Sequence, residues 1–127
     1  MKKQKSDQAT FDHIVNHMLT QNCRSLLRGK VKRLTGVECG YRGGHSGELK
    51  CAIGCLIDDW LYSPALEGVG VYTDAVRNAI AWSGWSTNLP LDRLQEIHDG
   101  EDARDWEAHL AAFAEINGLK FRPKVKR

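Results

Sequence analysis

Within KCAIGCLIDDW, residues 50 to 60, Cys51 and Cys55 stand four apart with almost no polar residue before Asp58. Cys39, His45, Cys51 and Cys55 fall within 17 residues. Tetrahedral zinc takes Cys and His ligands, and two ligands at i and i+4 on a helix reach one ion. His13 and His17 form a second such pair. The spacing does not match a known zinc knuckle, because no CxxC occurs. The competing reading makes Cys51 and Cys55 small buried apolar side chains and His17 a hydrogen-bonded core residue. Packing is the favoured reading and no cofactor is expected, with zinc the alternative.

The same cysteines are the candidate nucleophiles. A helix N-terminus favours thiolate, which would lower the pKa of Cys51. His98 would serve as base to Cys51 or Cys55, oriented by Asp99 or Asp58. No peptidase signature surrounds these residues and no oxyanion-hole motif is evident, so core packing is expected again. Asp58, Asp59, Glu67, His98, Asp99, Glu101 and Asp102 are the types that hold Mg²⁺ for phosphoryl chemistry. HDGEDARDWE also reads as a helix end, a glycine stop and an acidic cap on the following helix. The Gly43-Gly44 turn lacks the Gly-Lys-Ser/Thr ending of a phosphate loop. An enzyme is therefore not the expected class.

The net charge of +2 conceals an asymmetry. Residues 34 to 119 hold 5 basic against 14 acidic side chains, a net of −9. Basic residues collect in Lys2, Lys3 and Lys5, in Arg24, Arg28, Lys30, Lys32 and Arg33, and in Lys120, Arg122, Lys124, Lys126 and Arg127. An acidic body repels a phosphate backbone outside its basic patches and suits a basic protein surface. The two basic segments near residues 24–33 and 120–127 are the candidate contacts with nucleic acid or a partner. No apolar run approaches the roughly 20 residues of a membrane helix. MKKQKSDQATFD opens like a signal sequence, but no apolar stretch follows. A cytoplasmic location is expected, with cysteines free or metal-bound rather than paired.

At 127 residues the chain is long enough for one self-sufficient domain. Thr10 is the expected cap of a first helix carrying Phe11, Ile14, Val15, Met18 and Leu19, with Asn22 at its left-handed end. Val37, Cys39 and Tyr41 alternate, which predicts a short hairpin near residues 31–43. Ser46 or Gly47 opens a second helix, with Leu49, Ile53, Leu56 and Trp60 on one face and both cysteines on the other. Apolar on both sides, it reads as the central helix, with Gly54 admitting another backbone. Further helices start at Thr73 and Pro90 and near Asp102, with stops at Gly84, Gly100 and Asn117-Gly118. Exposure of Trp82 or Trp85 would mark an anchor for a partner. The expected fold class is mainly α, a single domain of about five helices over residues 10–119. Flexible basic segments flank it at 1–9 and 120–127.

HIVNHMLTQNCRS, CGYRG, GELKCAIGCLIDD, YSPALEG, LQEIHDG and INGL together resemble a group of small uncharacterised phage and prophage proteins. The resemblance spans most of residues 11 to 119, and LKCAIGCLI is its most specific part. LLRGKVKRLTGVE looks like additional basic sequence. The resemblance implies an accessory protein made in a bacterial host, and no catalytic residue. The leading expectation is a protein that binds a host or phage macromolecule, foremost a host or phage protein, as a modulator of a host defence or a host enzyme. The alternatives are a nucleic-acid-associated protein and a cysteine-dependent enzyme.

Overall fold

Ser6 Oγ accepts the Ala9 N–H at 3.1 Å and caps helix α1, Asp7–Gln21, while the Lys5 N–H before it donates to the Gly84 carbonyl, so residues 5–9 are tied to the fold where a flexible segment 1–9 was expected. The helix thus starts one turn before Thr10, whose hydroxyl donates to the Ser6 carbonyl and accepts the Ser86 N–H. Asn22 closes α1 in the left-handed region, as expected. The computed structural model describes residues 3–23, 25–28, 37–43 and 49–124. Arg24, Lys30, Lys32, Arg33, His45, Lys126 and Arg127 lie outside them, and of Arg28 and Cys39 only the backbone is described.

Strands β1, Leu26–Arg28, and β2, Val37–Cys39, pair antiparallel with Leu26 opposite Cys39. The expected hairpin is therefore present, with its first strand earlier in the chain than residue 31. Strands β3, Arg42–Gly43, and β4, Leu49–Lys50, form a second antiparallel pair. Helices α2, Asp74–Trp82, α3, Leu91–Gly100, and α4, Trp106–Ile116, follow the expected periodicities. Gly84 and Gly118 adopt the positive φ values, 90° and 68°, that their stop positions require.

The second helix expected from Ser46 or Gly47 is replaced by β4 and a tight turn. Gly54–Leu56 is a single 3-10 turn, so four α-helices occur among the described residues instead of five. Pairing with β3 takes Leu49 and Lys50. The path then tightens: Cys55 N–H reaches the Cys51 carbonyl, while Leu56 and Ile57 reach back only three residues. Gly54 lies against another backbone, as anticipated: a Cβ there would meet the Tyr41 carbonyl oxygen at 2.0 Å. This segment is still the centre of the molecule, with Cys51, Ala52, Ile53, Leu56 and Ile57 buried. Trp60 departs from the expected apolar face and is 72% exposed.

Around that centre α4 packs against α1 and α3. Phe11 and Phe113 stack at 5.5 Å between ring centres, and Trp106 is wholly buried. Burying such side chains contributes about 1.5–3 kcal/mol each. No helix among the described residues is long and apolar enough to cross a membrane.

Two rows of polar side chains along α1 fasten other segments to it. His13 Nε2–H donates to the Cys55 carbonyl at 3.1 Å and His17 Nε2–H to the Lys50 carbonyl at 2.8 Å. Gln21 completes this row by exchanging two hydrogen bonds with the Lys50 backbone. The second row is Gln8, Asp12 and Asn16. Gln8 exchanges two bonds with the Lys120 backbone, Asp12 Oδ2 accepts from Arg122, and Asn16 Oδ1 accepts the Lys124 N–H. Residues 119–124 therefore form a strap along α1, where a free tail was expected.

Candidate functional site

A cleft of about 670 Å³ opens between α3 and loop 67–71, with Gly40 and Tyr41 at its base. Its floor is held by a buried carboxylate. Glu67 is 4% exposed, and its two oxygens accept the N–H groups of Tyr41 at 2.9 Å and Arg42 at 3.0 Å. The Tyr62 hydroxyl donates to the same carboxylate at 2.7 Å. Burial, then this bond to Glu67, pushes the Tyr62 pKa up. The Tyr41 hydroxyl donates to the Val69 carbonyl, which fixes the loop over the floor.

Arg42 is buried on the other side of the floor. Its guanidinium donates to the carbonyls of Gly54 at 3.2 Å and Ile57 at 2.6 Å. It also pairs with Asp59 at 3.1 Å and lies over the Tyr62 ring. These partners matter because a buried guanidinium donor left unmet would carry its full desolvation cost.

The wall is α3. Asp92, Glu96 and Asp99 line it with Arg93, and Arg93 is drawn to Glu96 at 3.2 Å. Asp99 faces two ways. One oxygen accepts from His98 Nδ1 at 2.7 Å, while the side chain remains 38% exposed. His98 is wholly buried, stacks on Trp106 at 5.2 Å, and its Nε2 accepts the Ser25 N–H at 3.2 Å. An N–H donor at Nε2 requires that nitrogen to be unprotonated, so the proton sits on Nδ1. Gln95 links the wall to the centre: its amide donates to Asp99 and accepts the Ile53 N–H at 3.3 Å. Gly70 and Gly100 also line the cleft, and an added Cβ at either meets nothing within 4 Å.

The candidate catalytic residues do not form a reaction centre. Cys51 is no helix N-terminus. Burial pushes its thiol up to about 12, against the pull of the Gly54 N–H that it accepts at 3.1 Å. Burial also raises the Cys55 thiol, which donates to the Ala52 carbonyl. Both nitrogens of His98 are engaged within the fold, so the base proposed for these thiols has no free lone pair.

The expected acidic constellation is likewise divided among separate partners. Asp59 pairs with Arg42 and Lys50, Glu67 holds backbone amides, and Asp99 holds His98. Among the described residues no three His, Cys, Asp or Glu side chains are placed to hold a metal ion. His13 and His17 each commit Nε2 to a carbonyl, and His13 also stacks on Trp85 at 4.3 Å. Among the expected partner contacts, Lys120, Arg122 and Lys124 lie on the strap.

Sequence reasoning missed the pairing of Glu67 with two successive backbone amides and the burial of Arg42. Glu67 stands alone between Leu66 and Gly68, outside any amphipathic pattern, and that isolation was the available signal. Comparison with protein-family models, curated proteins and solved structures finds no match to the chain.

Proposed function

We propose that this protein is a binding protein, whose cleft between α3 and loop 67–71 takes a basic segment of a partner protein. The observation that carries this reading is the cleft's composition: among the described residues Asp92, Glu96 and Asp99 line it against one cation, Arg93. Its volume lies in the range of ligand sites, about 300–1,000 Å³. Carboxylates around a concave surface focus field toward a cationic ligand and speed its encounter. Gly70 and Gly100, which neither packing nor a positive φ demands, leave the backbone open to an incoming chain.

The phage resemblance supports a host protein as that partner, met in the bacterial cytoplasm, with modulation of the partner as the outcome. The commitment of Cys51, Cys55 and His98 to packing and internal hydrogen bonds favours binding over catalysis. Calorimetry with a synthetic arginine-rich peptide tests the reading. Binding that weakens at least about tenfold in Asp92→Lys/Glu96→Lys supports it, each tenfold being about 1.4 kcal/mol. Absence of binding, or equal affinity in the variant, overturns it.

A further inference from the structure

The strap carries a second surface, independent of the cleft. Along residues 119–124 exposure alternates: Leu119, Phe121 and Pro123 are half-buried, while Lys120, Arg122 and Lys124 are exposed. Leu119 and Phe121 pack against the core. The backbone is held at both ends of this stretch. Gln8 Oε1 accepts the Lys120 N–H at 2.9 Å, and Asn16 Oδ1 accepts the Lys124 N–H at 2.8 Å. Alternate residues of an extended chain advance about 6.6 Å. Four residues of helix advance about 6 Å, so the row Gln8, Asp12, Asn16 keeps step with Lys120, Arg122, Lys124.

We propose that this strap is a rail for the phosphate backbone of single-stranded nucleic acid, with Lys120, Arg122 and Lys124 presented on one side of a rigid extended segment. Of the three, only Arg122 is ion-paired among the described residues, at 3.0 Å from Asp12, and its side chain remains 57% exposed. Asp7, the other acid of α1, is turned to the Ser86 hydroxyl. A single strand is the fitting polyanion, because its backbone follows a cationic track without a duplex groove to match. Contact is to phosphate, so binding is independent of base sequence. Docking removes the entropy that a loose basic tail would lose on binding.

Fluorescence anisotropy with a labelled single-stranded DNA oligonucleotide, titrated across salt concentrations, tests the proposal. Each phosphate contact on a single strand contributes a slope of about −0.7 in log K against log salt. Lys120→Ala/Lys124→Ala is therefore expected to make the slope shallower by about 1.4. Gln8→Ala/Asn16→Ala keeps every cation and frees the strap, which faster amide exchange at Lys120 and Lys124 would report. Weakening by roughly three- to tenfold with an unchanged slope is expected, because only pre-organisation is lost. Undiminished binding by the freed strap, an unchanged slope in the lysine variant, or tighter binding to phosphatidylserine vesicles than to the oligonucleotide would each overturn it.

Discussion

Gly54 lies so close to the Tyr41 carbonyl oxygen that a single added carbon would stand 2.0 Å from it. The obstacle is backbone, and the same backbone is gripped by Glu67, so neither side can move away without breaking buried hydrogen bonds. Gly54→Ala is expected to destabilise by about 3 kcal/mol or more, at the upper end of overpacking costs. Urea unfolding measures it. Gly70→Ala, at the open cleft, should remain within about 0.5 kcal/mol of the parent.

Glu67→Gln keeps the shape of the side chain but turns an amide NH₂ toward a group that already donates. Either Tyr41 N–H or the Arg42 N–H and Tyr62 hydroxyl would face another donor. A loss of about 2–3 kcal/mol is expected, the cost of a buried polar group left unmet. Chemical denaturation quantifies it, and Tyr62→Phe should cost less because only one of three bonds to the carboxylate disappears.

Stability should decline on acidification through the histidines of α1. Burial lowers the pKa of both His13 and His17, against the raising effect of their backbone hydrogen bonds. Their folded pKa values thus lie below the ordinary 6.5, so the unfolded chain binds protons more readily there. Their contribution is fully present above pH 6.5 and is lost as pH falls toward the depressed folded values. Thermal melts between pH 7.5 and 5 should fall less steeply in His13→Gln/His17→Gln than in the parent.

Thiol labelling should separate the cysteines. Cys23 is exposed and should react with a maleimide in the native protein at neutral pH. Cys51, wholly buried and held protonated, should label only after denaturation, and half-buried Cys55, whose thiol burial also raises, more slowly than Cys23. Peptide mapping by mass spectrometry reads the difference, and rapid native labelling of Cys51 would revive the nucleophile reading.

Metal analysis of the purified protein is expected to find zinc well below one ion per chain. The described candidates have competing commitments: Cys51 Sγ to the Gly54 N–H, and His13 and His17 to backbone carbonyls. A one-to-one zinc content retained through dialysis would contradict this.

The helices were legible because their apolar residues recur with a clear period, as in Phe11, Ile14, Val15 and Met18 or Leu91, Leu94 and Ile97. The central segment was not. Residues 51–57 are apolar on every side, and such a run is helix or turn depending on what surrounds it. Here strand pairing at Leu49 and Lys50 and the Tyr41 carbonyl against Gly54 decide the outcome. Arg42 and Glu67 were hidden for a different reason: their main partners are backbone groups, which no side-chain pattern reports. The strap left a trace in LKFRPK, where apolar and basic residues alternate with the period of an extended chain.

The outer row of α1 bonds to residues 112, 110 and 108 positions further along the chain. During synthesis Gln8, Asp12 and Asn16 leave the ribosome with those positions empty, long before Lys120 exists. Contacts across such distances close late, after shorter loops have formed. Helix α1, made before the other described elements, is therefore among the last to be finished, and the fold is sealed by a chain segment that arrives about a hundred residues after the surface it covers.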